Sequence, residues 1–257
     1  MHDIHCRSGG VFMIRSYRKI HGMRIQALDG DIGKCKDVYF DERNWEVRYF
    51  VVELGSWFSG TDVLVPPEAV SPFDGVSMKV ELTKEELRGC PDTDSAMPVS
   101  LQRQNHERSL YSLACSAATG MNGWLLVVPP VSEISDDIAS DDPHLVSCRD
   151  ICSYDLVASD GDVGAIQDVL IDDCSWNIRF VVASTGISGP AERLYGLHLI
   201  DSIEWPSSVI RIAVNCDRAF TEPCFDRTKH LDISYEILVN DIYDTEYEEK
   251  GYLMRVM

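Results

Sequence analysis

One stretch of this chain is written twice. Asp29–Trp45 (DGDIGKCKDVYFDERNW) returns as Asp160–Trp176 (DGDVGAIQDVLIDDCSW), and the offset of 131 positions holds without a gap from Ile14/Leu145 to Gly55/Gly186. Identities at that offset include Ser16/Ser147, Arg18/Arg149, Gly33/Gly164, Asp37/Asp168, Asp41/Asp172 and Arg48/Arg179. A period this long, seen twice, predicts two tandem domains and not a solenoid of small repeats. The expected layout is a disordered leader (1–13), a first domain (14–94), a linker (95–142), a divergent second domain (143–226) and a tail (227–257). Beyond Gly55 the match weakens, because GSWFSGTDVLVPPEAV faces the shorter GISGPAERLYGLHLI.

Within each repeat the pattern is all-β. MRIQAL, IGKCKDVYF, WEVRYFVVEL, DVLVPP and SMKVEL are short runs rich in β-branched and aromatic residues, separated by Asp, Gly, Asn and Pro. TKEEL (83–87) carries a Thr cap followed by acids and predicts one short closing helix. Five or six short strands in about 80 residues suggest a small barrel, which removes exposed sheet edges. The spacer segment VSLQRQNHERSLYSLACSA places Leu101, His106, Leu110 and Leu113 near helical spacing, and the tail is also read as partly helical.

Asp-Gly between extended segments is a hairpin signal, since Gly supplies positive φ freely and Asp tolerates it. Asp29-Gly30 and Asp160-Gly161 are therefore read as turns, and Gly33 and Gly164 as a bulge or a close backbone approach. The next connections, DERN and DDCS, allow a register to be worked out. A symmetric loop sets Phe40 opposite Trp45 and Asp37 opposite Arg48; in the second repeat it sets Asp168 opposite Arg179. The expectation is a structural cross-strand ion pair in each repeat. The core face would carry Val38, Phe40, Trp45, Val47, Tyr49 and Val51, with Trp176 and its neighbours as the second set.

Composition excludes several functions. With 42 acidic and 23 basic residues, a formal charge of −19 repels phosphate backbones, so nucleic acid is not an expected partner. Nine cysteines without a CxxC pair argue against a zinc ribbon or a disulfide framework and for thiols in a reducing compartment. The N-terminus lacks the pattern of a signal peptide, and the most apolar run, WLLVVPPV, is far shorter than the roughly 20 residues that span a bilayer. A cytoplasmic chain with no transmembrane segment is expected. Asp29, Asp31 and Asp41 raise cation binding as an alternative, but an extended strand puts Asp31 and Asp41 at opposite ends, so no metal site and no cofactor is expected. No nucleophile–base pair, phosphate loop or dinucleotide fingerprint appears, and the seven histidines do not recur between repeats, so no catalytic residues are assigned.

DGDIGKCKDVYFDERNWEVRYFVVELGSWFSGTDVLVPPEAV resembles the PRC-barrel domain in its tandem bacterial form. The resemblance rests on the Asp-Gly-x-x-Gly turn, the Asp-Val strand, the acidic turn before Trp, the Arg-aromatic strand and VLVPPEAV. It implies a small β-barrel used for docking, as in the cytoplasmic domain of the photosynthetic reaction-centre H subunit or a ribosome-maturation factor. It implies no enzymatic activity, a non-enzymatic adaptor role, and a protein partner whose identity is unknown. Trp57 and Phe58, in the Gly/Ser-flanked loop after a strand end, are the candidate interaction residues: they either anchor an interface or fold back to plug the barrel end.

Overall fold

A computed structural model describes residues 14–55, 61–71, 76–93, 98, 144–186 and 191–227. The spacer helix expected at 101–113, the tail beyond Arg227, and Trp57 and Phe58 lie outside the described residues. The first repeat contains β1 (Ile14–Ser16), α1 (Tyr17–Ile20), β2 (Arg24–Ala27), β3 (Gly30–Asp41), β4 (Glu46–Leu54), β5 (Asp62–Val65), β6 (Ser77–Lys79) and α2 (Lys84–Arg88). The second contains β7 (Leu145–Ser147), α3 (Cys148–Ile151), β8 (Asp155–Val157), β9 (Asp162–Asp172), β10 (Ile178–Thr185), β11 (Ala191–Gly196), β12 (Ile200–Glu204), β13 (Val209–Ile212) and α4 (Cys216–Ala219). The class is all-β.

Two sheets result, ordered β5-β4-β3-β2-β6 and β11-β10-β9-β8-β13-β12. Each turns back on itself at a 3-10 corner. β11 passes through Leu197–Leu199 directly into β12 at the far end of the same sheet, and β5 passes through Pro67–Ala69 to Val70, which bridges Val80 just past β6. Among the described residues no continuous ladder closes either sheet. The outer edges are covered by chain: Leu64 N–H donates to Pro91 O and Leu194 N–H to Pro223 O, which blunts edges that would otherwise invite pairing with other molecules.

The first strand of each repeat leaves its own sheet. β1 pairs with β9 (Ile14 opposite Asp172, Ser16 opposite Leu170), and β7 pairs with β3 (Leu145 opposite Asp41, Ser147 opposite Tyr39). These pairings are equivalent under the 131-residue offset, so the exchange is reciprocal. A second reciprocal contact joins the hairpin tips: Val47 N–H donates to Trp176 O at 2.9 Å, and Ile178 N–H to Trp45 O at 2.8 Å. Apolar contacts follow the same route, with Phe50 of the first repeat edge-on to Trp176 of the second at 5.1 Å. One buried core consequently runs through both repeats, and Tyr39, Val51, Leu64 and Leu145 form a small separate cluster.

The register corrects the symmetric-loop expectation. Trp45 and Trp176 sit at φ 58° and 56°, in the left-handed region, where a bulky side chain is rare. Trp45 N–H reaches back to Asp41 O at 2.8 Å, so the loop closes on the pair Asp41–Glu46 and not on Phe40–Trp45. Shifts then fall between Tyr39 and Phe40 and between Cys35 and Asp37, and Asp37 lies opposite Val51. Because a bulge reverses which side chains face inward, Phe50 and Val52 enter the main core, while Tyr49 and Val51 pack on the other face. Trp45 and Trp176 pack against the core half-buried. Trp45 stacks on Phe40 at 5.2 Å.

Helix α2 starts one residue after Thr83, whose hydroxyl accepts from Glu86 N–H while the Glu86 carboxylate accepts from Thr83 N–H. This reciprocal cap is what Thr-x-x-Glu provides. Gly33 and Gly164 mark the closest backbone approaches: a Cβ at either position would collide with a carbonyl oxygen, of Glu53 or of Ser184. Gly33→Ala and Gly164→Ala are each expected to destabilise the chain by more than about 2 kcal/mol, measured as a fall in the urea midpoint at unchanged slope. A loss under about 0.5 kcal/mol at both positions would contradict the close approach.

Candidate functional site

The polar groups with the most unusual surroundings lie where the repeats cross. Asp37 is 5 % exposed and Asp168 is fully buried, and each carboxylate caps the exchanged segment of the other repeat. At Asp37, Oδ1 accepts from Val38 N–H (2.8 Å), Tyr17 Oη–H (3.0 Å) and Arg149 N–H (3.1 Å), and Oδ2 accepts from Ser147 Oγ–H (2.6 Å). At Asp168, Oδ1 accepts from Val169 N–H (2.9 Å) and Arg18 N–H (3.2 Å), and Oδ2 accepts from Ser16 Oγ–H (2.5 Å) and Arg227 Nη1–H (2.9 Å). The bulge that precedes each aspartate aims it: Lys36 is the extra residue between the Cys35–Val52 and Asp37–Val51 pairs, and Gln167 the extra one between the Ile166–Ala183 and Asp168–Val182 pairs.

These contacts overturn the expected Asp37–Arg48 and Asp168–Arg179 ion pairs. Arg48 and Arg179 are themselves the extra residues of the bulges nearer the loop, and they turn to Asp41 (3.9 Å) and Asp172 (3.3 Å). Those two loop aspartates also accept from their own turns, Asp41 from Arg43 N–H and guanidinium, Asp172 from Cys174 N–H, Ser175 N–H and Ser175 Oγ–H. Hydrogen bonds from Arg43 hold the Asp41 carboxyl down to about 2.

The two buried sites differ in one partner. Tyr17 Oη stands at Asp37 where Arg227 stands at Asp168, and Arg227 also forks onto Glu192 (2.5 and 2.7 Å). Arg227, assigned from sequence to the tail, is therefore part of the second repeat's structure. Burial pushes the Asp37 carboxyl up to about 6 against the pull of its four hydrogen bonds. It also raises the Tyr17 phenol and the thiols of Cys35, Cys148 and Cys152, which crowd the same region. Those three are free thiols.

The turn residues have a second task. Asp29 Oδ1 accepts from Lys84 N–H at 2.9 Å and Asp160 Oδ1 from Cys216 N–H at 2.7 Å, so each caps the start of its repeat's closing helix. Gly30 takes φ 121°; Gly161 lies beside Cys216 Sγ. Asp29, Asp31 and Asp41 are not gathered, and among the described residues no three His, Cys, Asp or Glu side chains stand where one ion would bridge them. An open cleft of about 480 Å³ lies at Arg24, Asp31, Lys34, Glu53, Leu54 and Gly55, where the chain enters the loop of Trp57 and Phe58. No described helix is long and apolar enough to cross a membrane.

Ser16, Ser147, Tyr17 and Arg227 are site residues that were not expected from sequence. The serines were visible as an identity at the repeat offset, in the same class as Asp37/Asp168. Tyr17 and Arg227 have no repeated signal.

Comparison with known proteins finds a match between residues 13–87 and the PRC-barrel domain family. An uncharacterized protein of Deinococcus radiodurans is 32% identical over 68 residues, covering 26% of this chain. The chain spans about a quarter of the length of that relative.

Removing a hydroxyl that donates to a buried carboxylate costs about 2 kcal/mol. Ser147→Ala and Ser16→Ala are each expected to lower stability by that amount in chemical denaturation, although they lie in different repeats. Arg227→Ala, which strips the cation from a fully buried carboxylate, is expected to cost about 2 kcal/mol or more. A neutral result for Arg227→Ala would show that the 227–168 contact does not form in solution.

Proposed function

We propose, from the premise that residues 13–87 are a PRC-barrel domain, that this chain is a non-enzymatic adaptor that docks a protein partner. The family match carries the reading. What supports it further is where the polar groups are spent: the buried aspartates hold the repeats together, and their valences are filled by hydroxyls, backbone N–H groups and Arg227. The partner surface is then sought at the cleft of Arg24, Lys34 and Glu53, whose lining ends at Gly55, and at Trp57 and Phe58, which follow Gly55 in sequence. Aromatic side chains on such a loop are the residue type that dominates interface energies. The second repeat, with GISGP in place of GSWFSGT, lacks these aromatics, so the first repeat is the docking half.

The test is affinity purification with the tagged full chain from its native cell, followed by reconstitution of the captured protein with the purified chain. A defined complex in analytical ultracentrifugation is expected. Trp57→Ala is expected to weaken it at least tenfold, with circular dichroism unchanged. Unchanged affinity for both Trp57→Ala and Phe58→Ala would remove the loop from the interface. A purified chain that assembles with none of the captured proteins would overturn the adaptor reading.

A further inference from the structure

The seam between the repeats is symmetric in backbone and asymmetric in charge. Each buried aspartate uses Oδ1 for backbone N–H groups and offers Oδ2 to a serine of the exchanged strand. At Asp168 that second oxygen also receives the Arg227 guanidinium. At Asp37 it receives only the Ser147 hydroxyl, and among the described residues no cation stands within ion-pair reach of this carboxylate. We propose that the seam is a one-sided proton switch: Asp37 Oδ2 carries a proton when β7 and α3 are docked on β3, and undocking them releases it, whereas at Asp168 the Arg227 guanidinium takes the equivalent oxygen.

The geometry supports this at the level of single atoms. A protonated Oδ2 can donate to Ser147 Oγ, because a hydroxyl oxygen accepts as readily as its hydrogen donates. Ser147 Oγ already accepts from Asp150 N–H at 3.2 Å and has a second lone pair for Asp37. Oδ1, with its three donors, remains an acceptor in both states. At Asp168 the equivalent oxygen already accepts from both Ser16 Oγ–H and the Arg227 guanidinium.

The groups facing Asp37 leave the charge imbalance in place. From α1 comes the Tyr17 phenol, from β3 Cys35 and Tyr39, from α3 Cys148 and from the residue after α3 Cys152; burial raises all five, so all are neutral near pH 6. Asp62 and Asp150 act on Tyr39 as further negative charges. Arg149 offers Asp37 its backbone N–H and turns its guanidinium to His21 Nε2 (3.3 Å), and Lys36 is held by Asp62 (2.6 Å).

The sign follows from linkage. The docked carboxyl titrates at about 6 and the exposed one at its ordinary 3.8, so docking takes up a proton between those values. The contribution of this group to the seam is fully present below about pH 3.8 and is lost as pH rises through about 6. Across that window the docking equilibrium shifts by up to about a hundredfold.

The test uses the full chain labelled with ¹³Cγ-aspartate and titrated by NMR from pH 4 to 8, with Asp37 assigned by loss of its signal in Asp37→Asn. A midpoint near 6 for Asp37 is the expected result. An Asp37 midpoint below 4.5, or a shared midpoint for both aspartates, overturns the proposal. Hydrogen exchange of the unaltered chain, corrected for intrinsic rates, gives a second reading that needs no variant. Residues 145–149 are expected to lose protection between pH 5 and 7.5 by more than tenfold relative to 14–18. Equal pH dependence of the two segments contradicts a one-sided seam.

Discussion

Two buried aspartate side chains hold this fold together. A carboxylate out of water is costly unless its oxygens are met by donors, and neither Asp37 nor Asp168 finds enough of them inside its own repeat. Ser147 Oγ–H and Arg149 N–H complete Asp37, and Ser16 Oγ–H and Arg18 N–H complete Asp168. Each repeat thus contains a buried carboxyl group that only the other repeat can satisfy. The exchange of β1 and β7, the paired hairpin tips and the shared core all lie along this same crossing.

The hairpin tips show how local strain serves the same end. A tryptophan at φ near +57° is unfavourable in isolation, by an amount on the order of 1 kcal/mol or more. In this backbone state the carbonyls of Trp45 and Trp176 each accept an N–H of the opposite repeat, and their rings pack half-buried on Phe40 and Phe50. Removing that contact would expose aromatic surface and orphan two carbonyls. The repeats therefore act as a joined pair. Their sequences diverge most beyond Gly55 and Gly186, where the first has SWFSG and the second ISGP.

Much of this was legible in the sequence. The 131-residue offset revealed two copies, the period-two apolar runs revealed strands, and Thr83-x-x-Glu86 revealed the one capped helix. The register was not legible, because it turns on a tryptophan in a conformation that residue rarely adopts, and symmetric pairing is the natural expectation without it. Once the loop closes on Asp41–Glu46, the aspartate at 37 slides away from Arg48 and its role changes from partner of a cation to cap of a neighbour. The exchange was half legible. Ser16 and Ser147 recur with Asp37 and Asp168, yet recurrence says that residues are needed and not which copy needs them. The asymmetry of the seam was hidden altogether, since Tyr17 faces Cys148 in the alignment and Arg227 lies beyond the repeated stretch.

If the repeats complete each other, neither has independent stability, and the chain unfolds as one unit. The direct measurement is residue-resolved urea unfolding of the full chain by NMR, following the amides of Val63 in β5 and Leu194 in β11, far from the crossing in chain and on opposite sheets. A common midpoint and slope for the two sets is the outcome this structure predicts. Two separate transitions, with one sheet keeping its native signals after the other has lost them, would contradict it.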